Sequence, residues 1–203
     1  MTMSALFAEL ADIFAADVAF ERHARAALKA AAHQQMSVQT SWDSATIGHP
    51  ASPPDALVSV MTAPDAHPVR RHLLQLQLDW SLPTTSNDPL FINHNQQTVH
   101  IELLGPRGLV YADHVRIGLY GMISDTACRI RTHPAEEIYI MFAGSVWSKR
   151  GDDDFRQHNP GSRSHHPSMM PHANRTEERA FMSIYAWQGD ISTDDYVYDG
   201  LPL

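Results

Sequence analysis

The feature that most constrains the fold of this chain is a change of texture at Thr98. From there to Trp187 it runs in short apolar segments: Val99–Leu104, Gly108–Tyr111, Arg116–Tyr120, Glu137–Phe142, Ser145–Lys149, Ser168–Met170 and Phe181–Trp187. Turn-forming stretches such as GPRG, KRGDDD and NPGSRS separate them. Segments of that length and spacing predict an antiparallel barrel or sandwich, since each turn returns the chain alongside itself. Upstream the pattern is helical. Residues Ser4 to about Gln34 carry Leu6, Leu10, Ile13, Phe14, Phe20 and Leu28 among alanines and charges, without proline or glycine, which suits one or two amphipathic helices. Gln35–Pro54 reads as a loop, Pro68–Leu78 as a third helix, and Ser81–Asn95 as turn-rich. Helices first and strands later predict α+β content: a helical extension over 1–97 and a β-barrel over 98–203, packed as one structural unit.

Charge and cysteine usage narrow the function classes. With 15 basic against 23 acidic residues the formal charge is −8, and no basic stripe is present, so nucleic acid and anionic membranes are not expected partners. No apolar run approaches the roughly 18 residues of a membrane helix, and the first basic residue, Arg22, comes too late for a secretory signal. The single cysteine, Cys128, rules out an intramolecular disulfide and a cysteine-only zinc cluster, and a cytoplasmic location is expected. The thirteen histidines are the unusual count.

Two stretches concentrate that chemistry. In RTHPAEEIY, if the chain is extended, Arg131, His133, Glu137 and Tyr139 share parity and emerge on one face, while Ile138, Ile140 and Phe142 point the other way; HPAE is read as a turn or bulge. In HHPSMMPHANRT, His172 follows Pro167 by five residues. Two neutral imidazoles and a carboxylate form a three-ligand set that leaves metal positions open for water or substrate. Around them, His165 and His166 read as surface residues beside a proline, Glu136 as a solvated charge, and His100 and His114 as interior histidines in strand-like runs. Trp187, Tyr185, Tyr120 and Tyr111 are available aromatic faces.

The order of THPAEEIYIMFAGSVWS, SRSHHPSMMPHANRTEE and IYAWQGDI resembles the two motifs of the cupin superfamily, and among cupins the bacterial dimethylsulfoniopropionate (DMSP) lyases with an N-terminal helical extension. The resemblance implies a double-stranded antiparallel β-barrel holding one divalent metal, zinc first, with iron or manganese as alternatives. It places ligands on His133, Glu137, His172 and Tyr139, with Tyr139 also as the catalytic base. Arg131, Trp187, Tyr185 and Tyr120 are the expected substrate-binding residues. The implied reaction is β-elimination of DMSP to dimethyl sulfide and acrylate. The implied partner is a small carboxylate, and a homodimer is compatible.

Two positions depart from the family pattern: Arg131 stands where a first histidine is usual, and Cys128 where many members have tyrosine. Met169 occupies a position where other cupins often have glycine. Arginine has no free lone pair and cannot replace a ligand. Two alternatives therefore stand beside the lyase: a degenerate cupin that binds a metal and a small carboxylate without turnover, and another metal-dependent cupin enzyme, an isomerase or a dioxygenase. The helical extension is expected over one barrel mouth, as a lid.

Overall fold

In a computed structural model of the chain, the structure describes residues 2–34, 53–76 and 78–199. Among the described residues five helices come first: α1 (Met3–Ile13), α2 (Ala19–His33), α3 (Asp55–Thr62), α4 (Arg70–Leu73) and α5 (Pro89–His94). The strands are β1 (Thr98–Gly105), β2 (Val110–Tyr111), β3 (Arg116–Met122), β4 (Ala127–Thr132), β5 (Glu136–Gly144), β6 (Val146–Arg150), β7 (Arg156–His158), β8 (Arg163–His166), β9 (His172–Arg175), β10 (Phe181–Gln188) and β11 (Val197–Tyr198). They form a six-stranded sheet, in the order β2-β1-β3-β10-β5-β8, and a five-stranded sheet, β11-β4-β9-β6-β7. Pairing is antiparallel throughout except between β1 and β2, which run parallel. The content is α+β and the strands form a two-sheet, mainly antiparallel barrel after the helices, as expected.

The central strands β3, β10 and β5 are buried on both faces, which explains why β5 reads as the unbroken apolar run IYIMFAG. The outer face of the six-stranded sheet, with Ile117, Leu119, Ile138, Ile140, Phe142 and Ile184, shares one apolar core with Leu6, Phe7, Leu10, Leu28, Leu57 and Met61 of α1–α3. Its inner face, with Tyr120, Met122, Tyr139, Met141, Tyr185 and Trp187, packs with Cys128, Val146 and Tyr198 of the second sheet. Period-two alternation thus sends Ile138, Ile140 and Phe142 of β5 to the helices and Tyr139 and Met141 into the barrel. The turn after β5 needs Gly144: its φ is +71°, and a side chain there would run into the Ala180 carbonyl.

Polar contacts fasten the helices to the same sheet. Arg163 Nε of β8 donates to Glu21 Oε1 of α2 at 2.6 Å, and its Nη2 donates to the Ile13 carbonyl at 3.2 Å. Glu136 bridges strands, 2.7 Å from His165 Nε2 and 2.6 Å from Gln188 Nε2, and Gln188 Oε1 reaches His23 of α2 at 3.2 Å.

Several expectations are corrected. Within the extension, α1–α3 cover the outer face of the sheet, whereas Pro83–Asn95, which includes α5, reaches the cavity. The third helix shrinks to α4, because its apolar spacing is irregular and Arg70, Arg71 and His72 bond three residues back, not four. The strand expected at Ser168–Met170 is a turn, with Met170 N donating to the Pro167 carbonyl and Met169 at φ +59°. A left-handed residue of this kind is more often glycine. Helix α3 was hidden by its neighbouring prolines, and β4, β7, β8, β9 and β11 are short or polar strands without a clear apolar pattern. The loop expected at Gln35–Pro54 lies, but for its last two residues, outside the described residues.

Because α1 shares its core with the sheet, Phe7→Ala is expected to cost about 3–5 kcal/mol. A chemical-denaturation midpoint that falls with an unchanged slope checks this.

Candidate functional site

The inner face of β5 carries Glu137 and Tyr139, the end of β4 carries Arg131 with His133 just beyond it, and β9 opens on His172. All five side chains are buried. Ligand atoms of His133, Glu137 and His172 lie within 4.8 Å of one another. Glu137 Oε2 is 3.1 Å from His172 Nε2 and 3.6 Å from His133 Nε2. The other ring nitrogens face backbone carbonyls: His133 Nδ1 is 3.1 Å from the Ala135 oxygen, and His172 Nδ1 is 2.8 Å from the Met170 oxygen. A proton on each Nδ1 satisfies those carbonyls and leaves both Nε2 lone pairs facing Glu137. Both Nε2 atoms are buried without a hydrogen-bond partner. Two orphaned imidazole nitrogens beside a carboxylate oxygen are what a divalent cation would satisfy, so these residues fit a metal.

Glu137 is ionised. Burial opposes its charge, but the surrounding His133, His166 and His172 imidazoles hold its carboxyl well below the usual carboxylate range. Burial, aided by the Arg131 charge, pushes His172 well below the usual histidine value, so it stays a neutral donor. Trp187 Nε1 donates to Glu137 Oε1 at 2.6 Å, and the indole stacks on His133 with ring centroids 4.2 Å apart.

His166, read from sequence as a surface residue, is fully buried. Its Nδ1 is 2.9 Å from Glu137 Oε2, its Nε2 is 2.9 Å from Ser164 Oγ, and its ring stacks on His172 at 4.2 Å. It orients the carboxylate from behind. Arg163–His166 holds no apolar residue, so no alternation in the sequence pointed to it. Sequence reasoning also passed over Tyr196, whose ring stacks 5.8 Å from that of His133.

Beside the ligand set lies an open-mouthed cavity of ≈ 400 Å³, open solvent at its mouth included. Tyr120, Cys128, Arg131, Tyr139, Tyr185 and Trp187 line it, with Phe91 and Asn95 from the α5 region. The four substrate-binding candidates therefore meet in one place. Tyr111, by contrast, is 72% exposed and away from the cavity. Arg131 Nη2 is 3.4 Å from Tyr139 Oη, while its Nη1 is buried without a partner. Burial chiefly, and the Glu137 charge next, push the Tyr139 phenol well above its ordinary value, against the pull of Arg131. Tyr185 Oη is 2.7 Å from His100 Nε2; burial lowers that histidine to about 4, so it is the neutral interior residue expected. His114 is instead exposed, paired with Asp113 at 3.1 Å.

Comparison with known proteins bears on the same residues. Dimethylsulfoniopropionate lyase DddQ of Ruegeria pomeroyi is 35% identical over 91 residues, 45% of each chain, so the match spans less than half the length of that relative. The crystal structure of DMSP lyase DddQ from R. pomeroyi DSS-3 superposes with a TM-score of 0.60 at 26% identity, over 74% of this chain and 79% of that one. A structure from work on the DMSP lyases RdDddP and RnDddQII covers 98% of this chain and 100% of its own, with a TM-score of 0.63. At 17% identity, that likeness is one of fold alone. The family model for DMSP lyase matches residues 54–183, well over half of the 203, and runs through Arg131, His133, Glu137, Tyr139 and His172. The chain belongs to the dimethylsulfoniopropionate lyase family.

Proposed function

We propose that this protein is a metal-dependent carbon–sulfur lyase, cleaving DMSP to dimethyl sulfide and acrylate by β-elimination. The observation that carries this reading is the pair of orphaned Nε2 atoms of His133 and His172 facing Glu137, beside an aromatic cavity that holds one buried cation. His133, Glu137 and His172 would hold the metal, zinc in the first instance and iron or manganese otherwise. Such an ion supplies positive charge that polarises the substrate carboxylate and lowers the proton affinity of groups beside it.

The chain's own residues do the rest. Arg131, with a free Nη1, holds the substrate carboxylate by charge-assisted hydrogen bonds. Tyr139, 3.4 Å from that guanidinium, takes the proton from the carbon next to the carboxylate. The electron pair left there forms the double bond as the carbon–sulfur bond breaks. The sulfonium has no donors, so the faces of Trp187, Tyr185 and Tyr120 are its natural cradle. The single thiol suits a reducing cytoplasm.

Arg131 also favours a second reading, a cupin that binds a metal and a small carboxylate without turnover, because its fixed charge replaces a nitrogen donor. Metal analysis of the purified protein with headspace detection of dimethyl sulfide separates the two. Metal with sulfide supports the lyase; metal without sulfide supports the binder.

Tyr139→Phe is expected to lower turnover about 10²–10⁴-fold, the range of a lost general base, with fold and metal content kept. Steady-state kinetics with melting and metal analysis check it, and near-parental turnover would make Tyr139 a packing residue. Arg131→His is expected to raise metal affinity, since a neutral nitrogen donor replaces a cation. Metal titration of the variant against the parent measures this, and equal affinities would acquit Arg131.

A further inference from the structure

The two departures from the family pattern, Cys128 and Arg131, are three residues apart on β4 and would face opposite ways on a regular strand. They do not. On β4, Cys128 pairs with Asn174 and Arg131 with His172, so three steps on one strand match two on the other. This bulge brings both side chains to the barrel interior: each is 3% exposed, and both line the same cavity. Cys128 is a free thiol, and Arg131 Nη1 has no partner.

We infer that Cys128 and Arg131 together form a covalent capture site for small α,β-unsaturated carboxylates, with Arg131 seating the carboxylate and Cys128 adding to the β-carbon. The step is a balanced addition. The Sγ–Cβ bond forms as the carbon–carbon π bond breaks, and the electron pair moves to the α-carbon beside the carboxylate held by Arg131. That carbon takes up one proton in place of the one the thiol gave up. Nothing is oxidised or reduced, and no co-reactant is needed. The product is a carboxyethyl thioether. On the lyase reading, on which the biological sense of this site rests, the acceptor is the enzyme's own product, acrylate, so turnover would lead to self-modification.

The test uses purified full-length protein with added acrylate, independent of any turnover. Acrylamide is the control: it is neutral, nearly isosteric and intrinsically the better acceptor, because a carboxylate's charge deactivates the double bond. The rates at which Cys128 gains one acrylate or one acrylamide are followed by intact-mass and peptide mass spectrometry, in folded and in denatured protein. The acrylate-to-acrylamide rate ratio is expected to be roughly tenfold or more higher in the folded protein, the effect of one charge-assisted hydrogen bond. Propionate, which carries the carboxylate but cannot be attacked, is expected to slow the acrylate reaction, and Arg131→Gln to return the ratio to its denatured value. Should that variant not fold, propionate protection decides alone. An inert thiol in the folded protein, or a ratio equal to the denatured one, overturns the proposal. Dimethyl sulfide release is measured separately: sulfide with an inert thiol sinks only the capture site, whereas an adduct without sulfide sinks only the lyase reading.

Discussion

The site depends on one buried carboxylate. Glu137 is 1% exposed and ionised, and an unpaired charge in such surroundings is too costly to keep. The protein satisfies it from two neighbouring strands: β10 supplies the Trp187 indole N–H and β8 supplies His166, while β9 sets His172 alongside. One oxygen, Oε1, is taken by tryptophan, whereas Oε2 gathers three imidazoles. Of those, only His166 offers a ring nitrogen not already serving a backbone carbonyl or left without a partner. The other two confront Oε2 with lone pairs. That arrangement is poor for a bare protein and good for one that gains a cation, which is why the metal reading follows from geometry and does not rest on resemblance alone.

The pleat of the sheet connects this site to the helices. Neighbouring residues on three strands face opposite ways: Glu136 and Glu137 on β5, His165 and His166 on β8, Gln188 and Trp187 on β10. The inward members surround the carboxylate. The outward members are linked to one another through Glu136, and through Gln188 to His23 of α2. Register on the outer face is therefore register on the inner face, since a slip by one residue would exchange the two sets. The helices hold the strands in the alignment that the ligand set requires.

Much of this was legible because parity is a strong signal on a two-faced strand. His133, Glu137 and Tyr139 separate cleanly from Ile138, Ile140 and Phe142, and the structure places the two groups in the barrel and against the helices respectively. What stayed hidden had physical reasons. His166 lies next to a proline in a run of polar residues, so its strand had no apolar pattern to announce it. Met169 adopts φ +59° in a turn that hydrophobicity alone suggested was a strand. The bulge on β4 put Cys128 and Arg131 on one face despite odd spacing, and neither residue type signals a bulge. Pro83–Asn95 contributes to the cavity wall through a fold-back that no local pattern encodes.

Charge balance explains how a barrel of this family accommodates Arg131. Without an ion, the guanidinium and the Glu137 carboxylate offset one another, while the neighbouring His172 imidazole and Tyr139 phenol stay neutral. A divalent ion on the proposed ligands would leave the pocket with two excess positive charges, in a low-dielectric setting where such an imbalance is felt strongly. An anionic group entering the cavity then relieves it, and a free cation is repelled. Any substrate with a sulfonium at one end must therefore enter carboxylate inward, with the sulfonium left towards Trp187 and Tyr185. On the proposed mechanism, the same field that would weaken metal binding would thus select the orientation in which the acidic carbon lies beside Tyr139.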